Sequence, residues 1–130
     1  MKILISDGMS KEGIAILQNA GLEILNQKFT PEELLNAIPD YDGILVRSAT
    51  KVTKEVIDAG KNLKVIARGG VGLDNVDVEY AKQKGIAVLN TPGASSISVA
   101  ELAIGHIFAI ARFLNKSTAD MKAGKWPKKE

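Results

Sequence analysis

Residues 64–89 read Lys64-Val65-Ile66-Ala67-Arg68-Gly69-Gly70-Val71-Gly72-Leu73-Asp74-Asn75-Val76-Asp77-Val78-Glu79-Tyr80-Ala81-Lys82-Gln83-Lys84-Gly85-Ile86-Ala87-Val88-Leu89. A short β-like run, Lys64–Ala67, leads into a glycine turn. A helical segment follows from about Asp77 to Lys84, closed by Gly85, and then a second β-like run, Ile86–Leu89. Two short strands joined by one helix form a βαβ unit, which makes the strands parallel and the crossover right-handed.

The same alternation extends towards the N-terminus. Lys2–Ser6 is the first strand, and Ser10 caps a helix that runs to about Ala20 and stops at Gly21. A weaker second strand covers Leu22–Leu25. Thr30-Pro31-Glu32-Glu33 is a strong helix start: a hydroxyl at the N-cap, proline at the first helical position and glutamate three residues on. That helix ends near Ile38-Pro39, Gly43–Val46 is the third strand, and Thr53 opens a helix to Ala59-Gly60. The chain is therefore predicted to be α/β, a flavodoxin-like open doubly wound parallel sheet of five strands ordered 2-1-3-4-5.

The last element has a different character. Ser98-Val99-Ala100-Glu101 reads as a capping box opening a long C-terminal helix to about Asn115. Its apolar residues, among them Leu102, Ile104, Ile107, Phe108 and Ile110, occupy more than one stripe. A helix apolar on most sides needs cover on most sides, from a second domain, a second subunit or a central place on the sheet. The expected division is 1–97 as one domain and 98–130 as a bridging or dimerising helix and tail.

Composition narrows the function classes. The 130 residues carry a net charge of +2, too small to argue for nucleic acid or membrane binding. Much of the excess sits in the tail, where Lys122, Lys125, Lys128 and Lys129 surround Trp126 and read as solvated. With no cysteine, disulfides, thiolate metal sites and a thiol nucleophile are excluded. The opening run Met1–Asp7 is too short for a signal peptide and no 18-residue uncharged apolar stretch exists, so a cytoplasmic location is expected.

Ligands of open α/β sheets bind beyond the carboxyl ends of the strands, so the residues leaving those ends carry the candidate chemistry. The third strand exits into Arg47-Ser48-Ala49-Thr50-Lys51. Arg47 is one of three arginines against 14 lysines, and its planar fork suits a carboxylate or phosphate, with Ser48, Thr50 and Lys51 adding donors. A solvated turn has the same composition. The fourth strand exits into the glycine turn, whose backbone N–H groups can face a small anion, or which is simply a strand-to-helix turn. Counted from Gly70 it reads G-x-G-x-x-N, lacking the third glycine of a dinucleotide fingerprint, and Asn90-Thr91-Pro92 lies where the acidic ribose ligand belongs. Glu101 is explained by capping, and the single histidine, His106, is expected to be a packed mid-helix residue and not a base. No metal constellation and no nucleophile with an adjacent base can be assembled.

Three blocks in order, Ile44–Thr53, Ala67–Asp77 with its Gly-x-Gly-x-Asp-Asn-x-Asp, and Asn90-Thr91-Pro92 leading to Ser98-Val99-Ala100-Glu101-Leu102, resemble the D-isomer-specific 2-hydroxyacid dehydrogenases. Within that family the likeness is to its phosphoglycerate-oxidising branch, and it covers essentially the whole chain. The resemblance implies a substrate-binding domain that closes on a Rossmann domain holding NAD, with 3-phosphoglycerate or a related 2-hydroxy acid as the small-molecule substrate. By the same resemblance Gly70 and Val71 supply backbone donors to the substrate carboxylate, and Val71 also borders the nicotinamide. Arg47, Ser48, Thr50 and Lys51 form the phosphate end, and helix 98–115 makes a homo-oligomer and bridges to the cofactor domain. Ser95 stands where family members often carry Asn. The family's catalytic Arg, Glu and His and its Gly-x-Gly-x-x-Gly have no counterpart here, so no catalytic residue and no bound NAD are expected of these 130 residues. Receiver domains and flavodoxins share the topology, but Arg47 replaces the receiver aspartate, and Asp7-Gly8-Met9-Ser10 lacks a hydroxyl-rich phosphate loop. A stand-alone dimerising interaction module is the remaining alternative.

Overall fold

The structure, a computed structural model, describes residues 1–126. Lys128 and Lys129 of the basic tail lie outside the described residues. Contacts divide the chain into two compact units, Met1–Ala94 and the remainder from Ser95; the boundary expected from the sequence was 97.

The first unit contains β1 (Lys2–Ile5), α1 (Lys11–Asn19), β2 (Glu23–Asn26), α2 (Pro31–Ala37), β3 (Gly43–Val46), α3 (Lys54–Ala59), β4 (Val65–Arg68), α4 (Val78–Gln83) and β5 (Ala87–Leu89). The five strands form one sheet in the order β2-β1-β3-β4-β5, every pair parallel, as the sequence predicts. Local signals set most boundaries. Ser10 Oγ accepts from Gly13 N at 3.2 Å, and Thr30 and Glu33 form both halves of a capping box. Thr53 occupies the N-cap of α3 but makes no side-chain cap bond.

Right-handed crossovers place α1 on one face of the sheet and α2, α3 and α4 on the other, because the chain reverses direction along the sheet after β2. The second face holds the core, where Leu4, Ile44, Val46 and Ile66 meet Leu34, Ile38, Val56, Ile57 and Ala81. On the α1 face, Ile5 at β1 is fully buried, whereas Leu89 at β5 is 56% exposed, so that face is closed at one side and open at the other. Gly43 sits on the closed side. A Cβ there would lie 2.7 Å from both Ile3 Cδ1 and Val65 Cγ1, so glycine is what lets the neighbouring strands' side chains meet.

The second unit corrects the reading of the long helix. It begins earlier, as α5 (Ser96–Ala111), and a second helix, α6 (Leu114–Lys122), follows at a 62° bend. Ser98 therefore lies inside the first turn, and the expected capping box gives way to an N-cap at Ser95 that has no side-chain bond. The break falls at Phe113, whose φ of 53° is left-handed, an uncommon conformation for a bulky residue. Neither Gly nor Pro marks it, so periodicity alone runs through it. None of the residues of α5 is buried within these residues, His106 included. Among the described residues no single helix is long and apolar enough to cross a membrane.

Candidate anion-binding site

The three loops leaving β1, β3 and β4 meet at the carboxyl edge of the sheet. Asp7, just beyond β1, has its carboxylate on the loop after β3: Oδ2 accepts from Arg47 N at 2.7 Å and Thr50 N at 3.0 Å, and Oδ1 accepts from Thr50 Oγ1 at 2.6 Å. Thr50 has a single hydroxyl hydrogen and Asp7 takes it, so Ser6 Oγ, buried 2.9 Å away, acts as donor to Thr50. From the other side Asn75 Nδ2 donates to Arg47 O at 2.8 Å and to Thr50 O at 2.6 Å.

This geometry revises one reading. Thr50 has no hydrogen left for a ligand, so it braces the loop and does not donate from it. Arg47, Ser48 and Lys51 remain exposed, with side chains open to a ligand. The Arg47 side chain lies towards the glycine turn, its Cγ 3.6 Å from where a Cβ on Gly69 would stand.

The glycine turn differs from expectation in a second respect. None of Gly69, Gly70 and Gly72 adopts positive φ, so left-handed backbone is not what demands them. A Cβ on Gly70 would lie 2.8 Å from Arg68 Nη1, and one on Gly72 would lie 2.9 Å from Asp74 Oδ1 and 3.3 Å from the same arginine atom. The glycines make room for the Arg68 guanidinium, which donates to Gly72 O and, through Nε, to Arg47 O at 3.3 Å. Arg68 thus ties the two candidate loops together, a role the sequence reading missed, although its place at the end of β4 was a signal. The Gly70 N–H points back to Arg68 O at 3.0 Å and is not presented to a ligand. Among the described residues the Val71 N–H has no such acceptor, and Val71 is 46% exposed. The loop after β5 supports the turn, with Thr91 N on Gly70 O at 3.0 Å and Asn90 Nδ2 on Val71 O at 2.7 Å. Gly70→Ala is expected to push the guanidinium off its carbonyl partners at a cost of about 1–3 kcal/mol. A denaturant titration giving a loss of more than about 3 kcal/mol would mean that the backbone, not the arginine, has to move.

Burial raises the Asp7 carboxyl, but the bonds from the Thr50 hydroxyl and the Thr50, Arg47 and Ala49 amides together outweigh it and hold the group below its ordinary 3.8. A carboxyl lowered by folding stabilises the folded state above its unfolded value, and this contribution is lost as pH falls through the folded value. Stability measured from about pH 5 to about pH 2 should therefore fall more steeply in the natural chain than in Asp7→Asn. Parallel curves would show that these bonds do not discriminate between the two protonation states.

A groove of about 910 Å³ does not lie between the two loops. It runs along the opposite flank of the Arg47–Lys51 loop, walled by Thr50 and Lys51 on one side and Lys28, Phe29 and Pro31 on the other. Of the six candidate residues it touches only Thr50 and Lys51; Arg47, Ser48, Gly70 and Val71 lie outside it.

The glycine turn does not fit a dinucleotide. Arg68 fills the space over it, and the N-cap of the following helix is Asp77, whose carboxylate accepts from Tyr80 N at 3.2 Å and would face a pyrophosphate with like charge. No group of three or more His, Asp or Glu side chains able to hold a metal ion is found among the described residues.

Open parallel sheet, cationic loop and exposed Val71 at one carboxyl edge define an α/β domain with a candidate anion site. The chain belongs to the D-isomer-specific 2-hydroxyacid dehydrogenases, an oxidoreductase family, matching the family's catalytic domain over residues 3–124. It is 52% identical over 129 residues to hydroxypyruvate reductase from Thermotoga maritima, covering 98% of this chain and 42% of that protein. It is 50% identical over 129 residues to D-3-phosphoglycerate dehydrogenase from Methanocaldococcus jannaschii, covering 99% of this chain and 25% of that one. Among solved structures, cofactor (NAD+)-bound 3-phosphoglycerate dehydrogenase from Entamoeba histolytica superimposes with a TM-score of 0.72 at 38% identity, over 84% of this chain and 38% of its own. The chain thus spans about a quarter to two fifths of the length of these relatives.

Proposed function

We propose that this chain forms the substrate-binding part of an NAD-dependent dehydrogenase acting on a small phosphorylated 2-hydroxy acid, with 3-phosphoglycerate oxidised to 3-phosphohydroxypyruvate. The observation that carries this reading is the joining of the Arg47 loop to the glycine turn through Arg68, which sets the exposed Arg47 against the turn that carries the half-exposed Val71. Arg47, Ser48 and Lys51 take the phosphate end, and Val71 N–H takes the carboxylate. Hydride transfer to NAD requires groups beyond these residues, and the apolar, uncovered α5 supports a homo-oligomeric contact. The relatedness to hydroxypyruvate reductase favours a second reading, in which the substrate carries no phosphate.

Titrating the 130-residue chain with 3-phosphoglycerate and with glycerate, while following backbone amide resonances, tests both. Two or three charge-assisted bonds set against the entropy of holding a free ligand lead to binding of about 1 mM or weaker. Shifts at Arg47–Lys51 and Arg68–Gly72 that are stronger with 3-phosphoglycerate are expected. Equal affinity for glycerate would transfer support to the second reading, and silence at both loops would overturn the proposal.

A further inference from the structure

The Arg47–Thr50 loop is gripped at both ends and from both sides. One carboxylate oxygen of Asp7 accepts the N–H of Arg47 and of Thr50, at 2.7 and 3.0 Å. One amide nitrogen of Asn75 donates to the C=O of the same two residues, at 2.8 and 2.6 Å. The two grips come from different elements, the exit of β1 and the turn after β4, so the loop is tied across three neighbouring strands. The orientation of the Asn75 amide is forced: both partners are carbonyls, so only nitrogen can face them. Its Oδ1 is left buried without a protein partner, an unfavourable position for a polar atom. Two bonds to one loop are the evident offset.

We propose that Asp7 and Asn75 are a paired clamp that presets the Arg47 loop for its anion, positioning residues that touch no ligand themselves. This deepens the functional reading above and rests on it for the ligand. With the four backbone groups of Arg47 and Thr50 satisfied internally, the exposed Arg47 and Ser48 side chains are held at a fixed spacing before the anion arrives. Binding then carries little cost of ordering the loop.

The clamp requires hydrogen bonds and not the charge of Asp7, and this separates it from a general electrostatic role. An asparagine at position 7 can still accept both N–H groups through its oxygen. Its NH2 then meets Thr50 Oγ1, which can turn its own hydrogen towards Ser6.

The experiment uses the 130-residue chain, with 3-phosphoglycerate affinity from amide shifts and ligand-free hydrogen exchange at Arg47 and Thr50. Asp7→Ala and Asn75→Ala should each weaken the ligand about tenfold and speed exchange at the Arg47 or Thr50 amides. Asp7→Asn should restore both to within about threefold of the natural chain. Thr50→Val, a milder change that loses only the hydroxyl bonds, should weaken the ligand about threefold and keeps the test alive if an alanine variant does not fold. Asp7→Asn binding as poorly as Asp7→Ala, or Thr50→Val and Asn75→Ala both binding normally, would overturn the clamp. If the natural chain binds no 3-phosphoglycerate while exchange follows the Asp7→Ala and Asp7→Asn pattern, the functional reading fails and the clamp stands.

Discussion

On the proposed function, Arg47→Ala is expected to raise KM for 3-phosphoglycerate about a hundredfold in an enzyme made by joining this chain to the remainder of the Thermotoga maritima relative, with kcat changing far less. The backbone groups of Arg47 that Asp7, Asn75 and Arg68 hold are retained in alanine, so the loop keeps its shape. The exposed side chain should cost about 0.5 kcal/mol or less in stability. What disappears is a planar fork with charge-assisted bonds of about 1.5–3 kcal/mol each, and two such bonds amount to at least about 3 kcal/mol. Because the phosphate is remote from the reacting carbon, the loss falls on ground state and transition state alike and appears mainly in KM. Arg47→Lys should recover part of it, since a point charge keeps the attraction but not the bidentate geometry. Unchanged steady-state kinetics in Arg47→Ala would remove the Arg47 loop from the substrate site.

Ile44→Ala should be among the most damaging truncations in the fold, at about 2–5 kcal/mol. Ile44 is 1% exposed and lies on β3 in register between Leu4 and Ile66, both fully buried. Truncation leaves a cavity bounded by sheet and helices, where neighbours cannot collapse without breaking strand register. For a unit of this size the loss corresponds to a fall in Tm of about 10 °C or more. Leu89→Ala is the contrast: on the open face and 56% exposed, it should cost about 1 kcal/mol at most. Thermal unfolding of the two variants side by side checks both, and equal losses would mean that the two faces are equally covered in solution.

Sheet order, strand count and the main helix starts were legible because they rest on short-range chemistry. Thr30-Pro31-Glu32-Glu33 carries its capping box within four residues, and each crossover has only one favoured hand. The Arg47 loop was legible as a position, since Arg47 leaves a strand at the carboxyl edge. Its wiring was not. Asp7 lies 40 residues from Arg47 and Asn75 lies 28 away, and no local pattern links them.

What the linear order of residues determined by itself is the parallel five-stranded architecture and the place of a cationic loop within it. Only the folded chain decided that Thr50 braces the loop and does not donate from it, that the glycines admit Arg68, and that the last helix bends at Phe113. The reason is one of range: helix caps and strand periods are settled by neighbours along the chain, whereas a hydroxyl's acceptor or the space beside a glycine depends on residues that only the sheet brings together.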